Sequence, residues 1–288
     1  MKLSTSVSLA VAALALALGT SRWAASQSIE RAPRATVGEG LDASITDASL
    51  AQPSTTALVA DARAATGCPD DTIAVRGTHC DEVSEQCLEW APNGRGQCLR
   101  FAPDPRCTGR RLAVDVCMDR YEWPNQQGAL PTVMVSYEAA EALCAARGRR
   151  LCTEDEWAFA CSGEALLPYP YGRERSADAC TVDLFARAPN RALLHSSDHT
   201  VRNAEVERVY MASPSGSRPS CRSVFGVHDL TGNVDEWVRS TRSYGQPSGL
   251  MGGFWGHVRN RCRAVTRAHG PRFSYYQIGF RCCAERAR

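Results

Sequence analysis

Lysine is all but missing: Lys2 is the only one, so every other strongly basic side chain in the 288 residues is arginine. Beyond its second residue the chain therefore has no side-chain amine for Schiff-base chemistry. No Cys-x-x-Cys pair occurs among the fourteen cysteines. That counts against structural zinc, which needs clustered thiolates, and against a thioredoxin-like redox centre. A Gly-x-Ser-x-Gly elbow and a phosphate-binding glycine loop are both absent. An excess of one charge is also lacking. The formal net charge is +2, which gives no bulk attraction to nucleic acid or to an acidic membrane. The longest apolar run, Val7 to Leu18, is too short to cross a bilayer, so no integral span is expected.

That run instead reads as the core of a secretory signal over residues 1–26. Met1 and Lys2 supply a basic start, and Ala24, Ala25 and Ser26 are small enough for a signal peptidase. The first cysteine is Cys68, too distant from the cut for a lipid anchor. Residues 27–66 are rich in Ala, Ser, Thr and Asp with almost no aromatics, and read as a disordered linker. An even number of cysteines in an exported chain implies a disulfide framework formed in a periplasm or outside the cell. Six of them lie between Cys68 and Cys117, amid Pro, Gly and Asp, and allow fifteen pairings. Residues 67–117 are read as a loop-rich, bridge-held N-terminal part of the domain that fills residues 118–288.

Two helices are legible. Ser136 is a candidate N-cap for Tyr137 to Cys144, with Ala140, Leu143 and Cys144 on its apolar face and Gly148 as a left-handed stop. Thr153 with Glu156 three residues on is a capping box, followed by Trp157, Ala160 and Cys161 on one face. From about residue 165 onward, short β-branched or aromatic runs between Gly, Pro and Asn predict short strands and long loops. The class is α+β with high coil content.

Five segments in order resemble the formylglycine-generating, or sulfatase-modifying factor, family. They are Gly148-Arg-Arg-Leu-Cys-Thr-Glu-Asp-Glu-Trp157, Tyr169-Pro-Tyr-Gly172, Phe225-Gly-Val-His-Asp-Leu-Thr-Gly-Asn-Val-Asp-Glu-Trp237, Gly252-Gly-Phe-Trp255 and Ile278-Gly-Phe-Arg-Cys282. The resemblance implies that family's variant of the C-type lectin fold. It also implies disulfides Cys144–Cys282 and Cys161–Cys262. Each closes a loop of more than a hundred residues, for which chain entropy allows about 4–5 kcal/mol. Cys152 and Cys283 are left over and can pair together, with a vicinal Cys282–Cys283 bridge as the rival. Cys180 with Cys221 is a further candidate pair.

The resemblance assigns calcium to the side chains of Asp229 and Glu236 and the backbone oxygens of Gly232 and Val234. The chemistry agrees, because two carboxylates flanking a Gly-Asn turn offer hard oxygen ligands; the alternative is a plain turn in which both acids accept backbone N–H bonds. The family's oxidase converts a peptide cysteine to formylglycine through copper held by two thiolates, which suit Cu(I). Here the stretch after the double glycine holds one cysteine, Cys262, which the disulfide claims. An ungapped count instead places His257 and Cys262 at the copper positions. The family's Gly-Gly-Ser serine is Phe254, and the first Trp of its Gly-Asn-x-Trp-Glu-Trp is Asp235, so the cleft has been rebuilt. Glu154, Asp155 and Glu156 suit a helix start better than paired-carboxylate catalysis. His195, Asp198 and His199 could bind a metal, but the surrounding Ser-Ser-Asp-His-Thr reads as loop.

Three functions follow. The first is an exported, non-catalytic binding or scaffold module, monomeric, with structural calcium and an unidentified protein or peptide ligand. The second is a formylglycine-generating oxidase with an altered copper site. The third is an exported maturation factor acting on a peptide or small molecule.

Overall fold

The computed structural model describes residues 67–92, 96–242 and 245–287. The expected signal segment and linker, residues 1–66, lie outside the described residues.

A four-stranded sheet is built from β1 (Thr72–Cys80), β6 (Arg111–Asp119), β12 (Cys282–Glu285) and β7 (Arg150–Leu151), in that spatial order and antiparallel throughout. A second sheet has the order β10 (Val265–Thr266), β9 (Ser248–Met251), β8 (Asp235–Arg239) and β11 (Ile278–Phe280), with β8 and β11 parallel. Two small ribbons, β2 (Val83–Ser84) with β5 (Arg106–Cys107) and β3 (Cys87–Trp90) with β4 (Cys98–Phe101), complete the strands. The chain passes from the second sheet to the first at Arg281, the one residue between β11 and β12.

The cysteine-rich region is more ordered than a loop-rich reading allows. Its two longest elements, β1 and β6, pair over nine residues each, from Thr72 opposite Asp119 to Cys80 opposite Arg111. Val114, Val116 and Met118 are buried at every second position of β6, the period of a half-buried strand. Beyond Val116 the alternation lapses, because Cys117 and Asp119 are buried as well. Disulfides Cys68–Cys117, Cys80–Cys107 and Cys87–Cys98 hold the region.

Helix α1 (Tyr137–Ala145) starts where the Ser136 hydroxyl accepts from the Ala139 N–H. It ends in a reversal at Gly148, whose φ of 66° lets the Arg149 N–H reach back to the Cys144 carbonyl. Helix α2 (Glu154–Ser162) opens with both halves of the capping box in place. Thr153→Ala is expected to cost about 1 kcal/mol, read as a lower urea midpoint with the disulfides oxidised. Helix α2 is the central element: Trp157, Phe159, Ala160 and Cys161 are all buried, and they pack on Val75, Val116, Met118 and Leu230.

Past residue 165 the expectation of strands and loops alone is corrected by two helices, α3 (Arg191–Leu194) and α4 (His199–Val209). The Asp198 carboxylate caps α4, accepting from Thr200 and Val201. Only Glu205 and Val209 of α4 are buried, so the segment has no apolar stripe to betray a helix.

The cysteine-rich part is tied to the domain by charge as well as by β-pairing. Glu85 pairs with Arg261 at 3.1 Å and with Arg263, whose side chain is 14% exposed. Glu85→Gln leaves Arg263 half-satisfied and is expected to cost roughly 2 kcal/mol, below the figure for a fully buried pair because Arg261 reaches solvent. A chemical-denaturation midpoint measures it.

Candidate functional site

The Asp229–Glu236 segment approaches the start of β8 through a tight reversal. Asp229, Gly232 and Asn233 all have positive φ, at 59°, 80° and 55°. A Cβ at Gly232 would run into the Thr181 carbonyl, so glycine is needed there on two grounds. Asn233 locks the turn: its side-chain oxygen accepts from the Ser213 N–H, and its amide nitrogen donates to Glu122 at 2.7 Å.

Three carboxylates are buried around this turn: Glu122 at 0%, Asp229 at 3% and Glu236 at 0% exposure. Glu236 is held by Arg281 through Nε and Nη2, both at 2.7 Å, and also accepts from the Trp157 indole at 2.9 Å. Asp229 accepts from the Gly216 N–H at 2.7 Å. Glu122 accepts from Ser215 Oγ, Asn233 Nδ2 and the Val234 N–H. Burial pushes the Glu122 carboxyl well above the ordinary range; Asp229 and Glu236 add to that and Arg281 opposes it. Burial likewise raises Asp229. Among the described residues Arg281 is the buried cation that these three carboxyls share. Nothing in the sequence marks Glu122 as a member of this cluster. It sits in Asp-Arg-Tyr-Glu122-Trp-Pro-Asn, where no spacing ties it to residue 229 or 236.

Among the described residues no group of three or more His, Cys, Asp or Glu side chains is placed to hold a metal by itself. A cation at this turn would therefore depend on backbone oxygens as well. The donor set suits a hard cation: carboxylates and carbonyls, with no sulfur and no imidazole.

On the other side of β8 lies a cleft of about 510 Å³. Asp235 and Arg259 form its polar base, with Arg259 Nη2 donating to both carboxylate oxygens at 2.9 and 3.1 Å. Phe254, His269, Phe273 and Tyr275 supply aromatic wall. The His269 ring stacks on Phe273 at 4.0 Å and 8°, and Phe273 lies over Tyr275 at 5.8 Å and 22°. Gly256 gives Phe254 its place, since a Cβ there would lie 2.8 Å from that ring.

The two residues at the copper positions do not meet as a ligand pair. Cys262 is fully buried and bonded to Cys161, while His257 faces the ring of Phe185 at 6.4 Å. The remaining bridges are Cys144–Cys282, Cys152–Cys283 and Cys180–Cys221, and no cysteine is free. The vicinal Cys282–Cys283 alternative is thereby corrected: in β12 their side chains point to opposite faces, one toward each helix-bearing side. His195, Asp198 and His199 form no cluster, because Asp198 is engaged in capping α4.

A family model for the sulfatase-modifying factor enzyme 1-like domain matches residues 103–286. The chain belongs to that family. A mouse protein named inactive C-alpha-formylglycine-generating enzyme 2 is 34% identical over 171 residues, covering 55% of this chain and 50% of the mouse one. Its Bos taurus counterpart is 31% identical over 167 residues, covering 55% and 51%. A Bos taurus formylglycine-generating enzyme is 26% identical over 176 residues, covering 54% and 44%. The chain thus spans about half the length of these curated relatives. Among solved structures, that of CarF covers 75% of this chain and 98% of its own, at 15% identity and a TM-score of 0.48. PvdO from Pseudomonas aeruginosa covers 70% and 92%, at 20% identity and a TM-score of 0.42. No described helix is long and apolar enough to cross a membrane.

Proposed function

We propose that this member of the sulfatase-modifying factor family is an exported, non-catalytic binding module that carries a structural calcium ion. The observation behind the non-catalytic reading is Cys262, whose sulfur is committed to Cys161. With all fourteen cysteines in disulfides, no pair of thiolates is left to hold Cu(I). The relatives named inactive support the same reading. Export is supported by the seven bridges, which persist in oxidising compartments.

The test is incubation of the full chain with a Cys-x-Pro-x-Arg peptide, copper and oxygen, followed by mass measurement. The peptide mass is expected to stay unchanged. Formation of the aldehyde, a loss of about 18 Da, overturns the reading.

Calcium is supported by the oxygen chemistry of the turn, where Glu122, Asp229 and Glu236 are buried together and share one guanidinium, that of Arg281. Asp229, Glu236 and the carbonyls of Gly232 and Val234 would hold the ion. Calcium at a hundred times its Kd is expected to stabilise the fold by about 2.7 kcal/mol, read as a higher melting temperature than in chelator. Asp229→Asn should abolish most of that difference. Identical melting of the native chain in calcium and in chelator would remove calcium from the account.

A further inference from the structure

Building on the binding-module reading, we infer that the cleft beside β8 takes a small aromatic carboxylate. Its volume of about 510 Å³ lies in the range of small-molecule sites, roughly 300–1,000 Å³. The wall selects for a flat ring. His269, Phe273 and Tyr275 are already arranged as a stacked series, and a further ring gains from stacking or edge contact with such a surface. Leu250 and Ile278, both buried, give the same cleft an apolar floor.

The charges select for an anion. Asp235 is the carboxylate of the cleft, and Arg259 neutralises it with a two-oxygen contact. Arg191 at the rim is exposed and has no ion-pair partner among the described residues. The cleft therefore holds one cation more than it needs. A guanidinium offers a planar fork that matches a carboxylate. Ring and carboxylate on one small molecule would satisfy the wall and the rim together.

Two probes differing only in charge separate these contributions: N-acetylphenylalanine and N-acetylphenylalaninamide, titrated calorimetrically into the full chain. The acid is expected to bind at least tenfold tighter than the amide. Arg191→Gln should bring the acid down to the amide's affinity and leave the amide's Kd unchanged, while Phe273→Ala should weaken both. Equal affinity of acid and amide for the native chain, or no binding of the acid, overturns the inference. So does tenfold tighter binding of a pentapeptide ending in phenylalanine, which would assign the cleft to a polypeptide. The same preparation, assayed for aldehyde formation, reports on the non-catalytic reading separately, since that result does not depend on the acid-to-amide ratio.

Discussion

Arg281→Met is expected to prevent folding or to cost at least about 3–5 kcal/mol, the penalty for stranding a buried charge. Arg281 is fully buried where the chain crosses from β11 to β12. It fixes Glu236 through two 2.7 Å bonds and also donates to the His228 carbonyl at 2.9 Å. Removing the guanidinium strips Glu236 of its buried side-chain cation, with Glu122 and Asp229 still beside it. Methionine keeps much of the volume, so the loss reports charge rather than packing. The double variant Arg281→Met/Glu236→Gln should recover part of the deficit, because the stranded charge is gone. A double-mutant cycle on urea midpoints isolates the coupling. A single variant within 1 kcal/mol of the native chain would mean that Glu236 does not depend on Arg281.

Replacing Cys161 and Cys262 together by alanine is expected to cost about 3–5 kcal/mol. The bridge spans 101 residues, and in the chain-entropy model a loop of that length is worth up to about 4.7 kcal/mol. It pins the central helix α2 beside Trp157 and Met251, in the same core cluster, so packing is lost as well. Circular dichroism in urea measures the shift. Stability unchanged by the double substitution would show that the bridge adds nothing to the fold.

Much of this arrangement was legible before the fold. The caps at Ser136 and Thr153 are local chemistry, which a sequence carries within four residues. Cys144 and Cys161 fall on inward helix faces by the same short-range logic. The pairing of β1 with β6 was harder, since the strands are separated by thirty residues and the period-two pattern of β6 lapses at its fully buried end. Helix α4 stayed hidden because it buries only two of its residues.

The polar sites divide in the same way. Asp229 and Glu236 stand out as two acids around a Gly-Asn turn. Glu122 joins them only through tertiary structure, by bonds to Asn233 and Val234 more than a hundred positions away. The aromatic wall of the cleft is likewise assembled from separate segments, Phe254 just after β9 and the loop bearing His269, Phe273 and Tyr275. Phe254 and Asp235 were visible as substitutions of the family pattern. Their consequence, a cleft with an Asp235–Arg259 base and a rim arginine that has no ion-pair partner among the described residues, required the fold.

The central claim is that the domain keeps the family's frame, with Cys262 in a disulfide and no other cysteine between the double glycine and Cys262 to form a copper pair. A free-thiol titration of the purified full chain, denatured without reductant, tests it most directly. The account predicts no free thiol among the fourteen cysteines, with peptide mapping joining Cys161 to Cys262. Two free thiols, one of them Cys262, would contradict it and reopen the oxidase.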